Sequence, residues 1–468
     1  MKLFVLAAML LAGWSAAVGA EVTRPNVLIL IADQWRAQAF GYAGDPTVKT
    51  PHIDALEHES VDFTHAISSL PVCCPARASL FTGQRALTHG VFMNDVPLAP
   101  DAVTFAKVLR VDGYDTGYVG KWHLNGDGRS AFIPRERRQG FDYWKVLECT
   151  HNYNHSFYYG DTPEKLLWPG YDAIAQTRDA QEYLRTRATN GRPFLFVLSW
   201  GPPHDPYGNA PEKFKALYDP VKLTLRGNVP PGPVKGWRRD LAGYYAHCSA
   251  LDDCVGQLMQ TLSDTSLDRN TIVIFTSDHG DMLGSHGMAR KQKPFDESIR
   301  VPLLFRCPPG LGIKARRLDA VLTTEDFMPT LLSLCHAPIP PTVQGIDYSG
   351  YMRGKRNPSD EAALISCVAP FSDWSHGKGG REYRGIRTER FTYVRALDGP
   401  WLLFDNEKDP LQLTNLVNQP SGKKWQKKLD QTLQNKLRRT HDQFLPSTVY
   451  IQQQGYPVDA DGAVPFTN

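Results

Sequence analysis

Asn26-Val-Leu-Ile-Leu-Ile-Ala32 is an unbroken apolar run of mostly branched side chains. A strand with one wet face alternates apolar and polar residues. A run without polar interruption has both faces buried, as in a parallel strand covered by helices. Arg192-Pro-Phe-Leu-Phe-Val-Leu-Ser-Trp200 and Thr271-Ile-Val-Ile-Phe-Thr-Ser277 read the same way, and Val301-Pro-Leu-Leu-Phe305 adds a further strand. Helical spacing lies between them. Residues 173–189 are amphipathic, and residues 241–262 carry Leu241, Tyr244, Tyr245, Cys248, Leu251, Val255, Leu258, Met259 and Leu262 on one face. The expected class is α/β.

Open α/β sheets keep their sites at the C-terminal ends of strands. Asp33 and Gln34 follow the first run directly, and Asp278-His279 closes the run at 271–277. An acid and an amide oxygen suit a hard cation, although an Asp capping the next helix fits the same position. Four ligands from two strand ends would make a cage. A His in such a set is uncommon on first principles.

Val72-Cys73-Cys74-Pro75-Ala76-Arg77-Ala78-Ser79-Leu80-Phe81-Thr82-Gly83 is the second informative stretch. Pro75 suits a first helical position. Free N–H groups at a helix start favour an anion, so a nucleophile there, one turn from Arg77, could attack an oxyanion. A buried thiol pair capping a helix is the plainer alternative. Gly120-Lys121-Trp122-His123 follows a strand at 114–120, and alternation puts Lys121 and His123 on one side. A cation and an imidazole together suit charge stabilisation and proton transfer. Pro203-His204-Asp205-Pro206 fixes a His at another strand end. The loop at 148–159, with His151, Tyr153 and His155, suits sugar binding or its own packing. Asn94-Asp95 reads as a turn within reach of substrate, 135–138 as a solvated Arg cluster, and Thr50-Pro51 as the cap and first residue of a helix.

The 468 residues suit one large α/β domain and a smaller one. A net charge of +3 is too small to argue for nucleic acid or an anionic membrane, so any polyanionic substrate has to be met by a local basic patch. Residues 1–20 read as a secretory signal: Lys2, an apolar run from Leu3, and small residues before Glu21. No later stretch reads as a membrane span. Export permits disulfides among the eight Cys, but Cys248 and Cys254 lie on one helix and cannot easily pair. A Pro-rich stretch at 338–348 marks a crossing. The expected units are residues 1–20, a catalytic domain at 21–345 and a C-terminal subdomain at 346–468. The last holds antiparallel strands around 383–395 and 401–404 and a helix near 425–437.

Taken in order, strand-Asp33, Cys73-x-Pro75-x-Arg77, Gly120-Lys-Trp-His123, Pro203-His204-x-Pro206 and strand-Asp278 with Lys291 resemble the type I sulfatases of the alkaline phosphatase superfamily. The resemblance implies a large, mostly parallel sheet flanked by helices, with a smaller C-terminal antiparallel sheet. It implies that Cys73, and not Cys74, is oxidised by a maturase to formylglycine, whose hydrate attacks sulfur. It implies Ca2+ (or Mg2+) at Asp33, Gln34, Cys73, Asp278 and His279. Arg77, Lys121 and Lys291 (rather than Lys293) would stabilise charge, His204 would protonate the leaving oxygen, and His123 would take a proton as sulfate departs. Ala76, Gln34 and His279 depart from the commonest pattern. The expected substrate is a sulfated glycan, with Asn94, His151 and His155 as binding residues and Trp374, His376 and Arg381 near the mouth. The alternatives are a phosphonate monoesterase or phosphodiesterase, and a catalytically silent glycan-binding homologue.

Overall fold

β1 (Asn26–Asp33) runs near the middle of an eight-stranded sheet. The structure is a computed structural model that describes residues 24–231, 236–359 and 361–466. The expected signal at 1–20 and most of the Pro/Gly loop at 230–235 lie outside the described residues. The strands that follow are β2 (Val61–Ile67), β3 (Asp115–Lys121), β4 (Tyr143–Leu147), the hairpin β5 (Phe157–Tyr158) and β6 (Leu166–Leu167), β7 (Phe194–Pro203), β8 (Thr271–Ser277), β9 (Leu303–Arg306) and β10 (Arg316–Thr323). The main sheet has the order β10-β2-β9-β8-β1-β7-β3-β4. β9 is antiparallel to both neighbours and every other pair is parallel. β1 pairs through Leu30 with Leu198 on one side and Phe275 on the other.

Alternation explains the unbroken apolar runs. Val27, Ile29 and Ile31 enter one core, while Leu28, Leu30 and Ala32 enter the other. Helix Cys73–Thr82, with helices Phe105–Val111 and Phe327–Leu334, covers the first face. Helices Pro51–His58, Asp172–Arg187 and Trp237–Asp264 cover the second. In the long helix all the expected face residues are buried except Met259, which is half-buried.

A second sheet, β11 (Ala362–Cys367), β12 (Tyr383–Thr388), β13 (Phe391–Ala396) and β14 (Gly399–Asp405), is antiparallel throughout. β11 does not stand out in the sequence, because six small and apolar residues carry little period-2 signal. Helix Lys423–Arg439 packs on this sheet through Leu429, Leu433 and Leu437.

Three local expectations are corrected. Helix Cys73–Thr82 begins at Cys73, so Pro75 is its third residue, still within the turn whose N–H groups lack helical partners. Thr50 precedes its helix without capping it; its hydroxyl donates to Asp54 Oδ1 (3.0 Å) and accepts from the Gly41 N–H (2.9 Å). Arg138 is not solvated. It is buried and donates to Asp161 Oδ1 (2.6 Å) and the Gly160 carbonyl (3.0 Å), whereas Arg135 stays outside with Asp142. All eight cysteines are free thiols, and no described helix is long and apolar enough to cross a membrane.

Candidate active site

The C-terminal ends of β1, β3, β7 and β8 and the start of helix Cys73–Thr82 converge. Asp33, the last residue of β1, is fully buried. Its Oδ2 accepts from Lys121 Nζ (2.6 Å) and Arg77 Nη2 (3.2 Å). Asp278 follows β8; its Oδ2 accepts from Arg77 Nε (3.0 Å) and its Oδ1 from the Gln34 and His279 N–H groups (3.0 and 2.9 Å). Arg77 spends its remaining donors on the Lys121 carbonyl (3.0 Å) and Ser199 Oγ (2.8 Å). Its guanidinium is therefore occupied by protein acceptors and ties the two carboxylates together.

Cys73 is the first residue of its helix, with Sγ 3.3 Å from His279 Nε2 and 3.7 Å from Asp33 Oδ1. Lys291 Nζ lies 3.1 Å from Sγ and Lys121 Nζ 3.9 Å from it. Burial opposes thiolate formation, but Lys121, Lys291 and His279 outweigh it and hold the thiol well below its usual pKa. Lys121 sits at the end of β3 because Gly120, at φ +105°, turns the chain where any Cβ would meet the Ser199 carbonyl at 2.1 Å. Trp122 points the other way into the core, as alternation requires.

The donor atoms of Asp33, Cys73, Asp278 and His279 all lie within 4.8 Å of one another. His279 Nδ1 donates to the Gly280 carbonyl (3.0 Å), so Nε2 is the ring nitrogen that faces the cluster. Gln34 is held by its Nε2, which donates to Asp281 Oδ2 (2.7 Å), while its Oε1 is buried without a protein partner. Two carboxylates, an imidazole and an orphaned amide oxygen fit a divalent cation, and an oxygen in place of the Cys73 sulfur would complete a hard donor set.

Above this cluster is a small cavity of about 160 Å³. It is lined by Cys73, Lys121, His123, His204 and Lys291 together with Asn94, Asp95, Arg129, Cys149, His151, Arg290, Phe371 and Phe466. His204 Nδ1 is 2.8 Å from the Asp205 carbonyl and its Nε2 is 2.7 Å from Lys291 Nζ. His123 Nε2 lies 3.2 Å from Asp95 Oδ1, and its Nδ1 is buried without a partner. Arg129 grips Asp95 through both carboxylate oxygens (3.0 and 2.9 Å). A larger cavity of about 570 Å³, lined by residues such as Ser69, Arg85 and Thr440, contains none of these groups.

Among the expected binding residues, His151 stacks on His204 with ring centroids 4.9 Å apart. Asn94 lines the cavity, but its Oδ1 accepts the Cys74 N–H (3.0 Å) and so caps the helix. His155 is exposed and lies outside the lining, as do Trp374, His376 and Arg381. Trp374 is buried against Trp401, and His376 pairs with Glu382. The loop at 148–159 packs instead through buried Tyr153, whose hydroxyl donates to the His204 carbonyl (3.0 Å). Lys293 bonds the Ala289 carbonyl (2.9 Å), away from Cys73. Arg129, Arg290 and Phe466 carry no local motif. Arg290 bridges Asp205 and Asp373, and Arg129 lies 3.4 Å from the Phe466 ring centroid.

Residues 25–337 match the family profile described as Sulfatase, and residues 284–439 match that of the N-sulphoglucosamine sulphohydrolase C-terminal region. The chain is 44% identical to the ulvan-active sulfatase of Formosa agariphila over 93% of this chain and 85% of that protein. It is 30% identical to the endo-4-O-sulfatase of Bacteroides thetaiotaomicron, over 85% of this chain and 89% of that one. Among solved structures, the Bacteroides fragilis protein yidJ, named as a sulfatase, superposes with a TM-score of 0.82 at 31% identity, covering 92% of this chain and 98% of that one.

Proposed function

Because this chain belongs to the sulfatase family of the alkaline phosphatase superfamily and is a sulfuric ester hydrolase, we propose that it acts outside the cytoplasm on sulfated carbohydrate, using a formylglycine made from Cys73 and a bound Ca2+. The observation that carries this reading is the placement of Cys73 Sγ, against two ligand-bearing strand ends and beside two lysines.

Asp33, Gln34, Asp278 and His279, with the oxidised side chain of residue 73, would hold the cation, which lowers the pKa of a bound hydroxyl. Once oxidised and hydrated, the side chain of residue 73 would offer two hydroxyls on one carbon, one to attack sulfur and a second whose deprotonation would let sulfate leave. The maturase that oxidises Cys73 is thus a required partner. Arg77 is a positioning residue that holds the two carboxylates at a fixed separation. Lys121 and Lys291 carry the charge complementary to the sulfuryl oxygens. Because Lys291 Nζ donates toward His204 Nε2, the proton delivered to the leaving oxygen sits between these two residues. His123 takes a proton at its unpartnered Nδ1, and Asp95 stabilises the resulting imidazolium. The 44% identity to an enzyme named for ulvan, a sulfated polysaccharide, supports the substrate class. The reading of residues 1–20 as a signal supports export.

The test is sulfate release from ulvan oligosaccharides and from an aryl sulfate by protein co-expressed with a maturase, with aryl phosphonates in parallel. Sulfate release that disappears in Cys73→Ala, with the sulfate ester preferred over the phosphonate, is expected. Preference for the phosphonate, or activity retained in Cys73→Ala, would overturn the reading.

A further inference from the structure

Helix Lys423–Arg439 carries seven Lys and Arg against one Asp, a net +6 on a chain whose total is +3. The other residues are therefore net acidic, and this one element more than accounts for the net positive charge of the chain. Leu429, Leu433 and Leu437, spaced by four, form the stripe buried against β12, β13 and β14. At 100° per residue, Lys424, Lys427, Lys428 and Arg438 fall on the side away from that stripe, and all four are exposed. None of the four meets a carboxylate among the described residues. The lone acid, Asp430, is taken by Arg395 (2.9 Å) and the Tyr393 hydroxyl (2.9 Å). Trp425 flanks the basic row, packed on Phe391 (ring centroids 4.6 Å apart), with Lys424 and Lys428 Nζ 5.7 and 5.6 Å from its ring centroid.

We propose that this helix face is a second carbohydrate-binding site, which docks a sulfated polysaccharide chain outside the catalytic cavity. The inference rests on the reading of the substrate as a sulfated glycan. Three arguments select that occupant. The row extends over a helix about 25 Å long, which calls for a linear polyanion and not a single anion. Like charges at i,i+3 and i,i+4, as in Lys424, Lys427 and Lys428, disfavour the helix until an anion neutralises them. A lipid surface is the poorer match, because an interfacial helix inserts an apolar face and the apolar stripe here is already buried in the protein. No residue of the helix lines the catalytic cavity, so docking would raise the local concentration of substrate without entering the chemistry.

The test uses the full-length matured enzyme and the quadruple variant Lys424→Gln/Lys427→Gln/Lys428→Gln/Arg438→Gln. Gln keeps helix propensity, and circular dichroism checks the fold. The readouts are affinity for ulvan and for chemically desulfated ulvan across a salt series, Trp425 fluorescence on titration, and turnover of an aryl sulfate. The expected result is binding of ulvan but not of its desulfated form, weakened at least about tenfold in the variant. Salt dependence should flatten as fewer counterions are displaced, with aryl sulfate kcat/KM within about twofold of wild type. Equal ulvan affinity in the two proteins overturns the inference and leaves the enzymatic reading standing. Tighter binding to phosphatidylserine vesicles or to DNA than to ulvan overturns it in favour of those partners. Failure of the wild type to release sulfate from any ester overturns the enzymatic reading instead, and with it this polymer as the docked chain.

Discussion

At the scale of single residues, the proposed chemistry rests on the short distances from Cys73 Sγ to His279 Nε2 (3.3 Å) and Lys291 Nζ (3.1 Å). Cys73→Ser, shown by peptide mass to be unoxidised, should leave the fold intact and reduce sulfate release by at least about three orders of magnitude, since its carbon carries a single hydroxyl; steady-state kinetics beside a thermal melt check this. Arg77 is buried with every donor group on a protein acceptor. Arg77→Met should remove the group that fixes the separation of Asp33 and Asp278, while Lys121 still pairs with Asp33, and so weaken cation binding by about 10- to 100-fold; calorimetric titration with Ca2+ reads this directly. The residue scale is also where the sequence was most legible. Cys73, Lys121, His123, His204 and Lys291 each sit in a recognisable local pattern, and the fold brings all five to one cavity. Asn94 and His155 were less legible. An Asn-Asp pair reads as a turn or as a ligand contact, and nothing local says that Asn94 accepts from the start of a helix twenty residues back; an exposed His reads the same whichever way its loop turns.

At the scale of elements, the two sheets are tied by a buried ion pair. Asp296, at the start of helix Asp296–Ile299, accepts from Arg387 of β12 through both oxygens (2.8 Å each). Burial pushes the Asp296 carboxyl up, but Arg387 and Arg300 outweigh it and hold it below the ordinary 3.8. A carboxylate with a depressed folded pKa stabilises the protein fully above its unfolded pKa, and that contribution is lost as pH falls through the folded value. Arg387→Met, which leaves the buried Asp296 with only the longer Arg300 contact (3.4 Å), should cost about 3 kcal/mol at pH 7. The gap between variant and wild type should narrow as the pH falls below 4. Urea unfolding at pH 7 and pH 3 measures both. The strands of the main sheet were legible because burial on both faces removes every polar residue from them. β11 was not, because its order comes from pairing with β12 and not from its own composition.

At the scale of the whole molecule, a cation bound by groups from β1, β8 and helix Cys73–Thr82 would cross-link distant parts of the chain. Stripping it with a chelator should abolish turnover and lower the melting temperature, with about 2.7–4.1 kcal/mol of stability regained at 100–1,000 times the dissociation constant of Ca2+. Calorimetry at several Ca2+ concentrations checks this. The α/β class, the strand ends that carry acids, the Cys at a helix start and the local motifs around Lys121 and His204 were legible in the amino-acid order. These are readable because each depends on residues within one turn or one strand of each other. Packing alone makes Asp33 and Asp278 share one arginine, points Lys291 at His204, and walls the cavity with Arg129, Asp95 and Phe466. It also decided that the basic residues of one late helix form a single face over a buried leucine stripe. Those facts come from long-range packing, in which a side chain's role is set by what the fold places opposite it, and no local pattern records that.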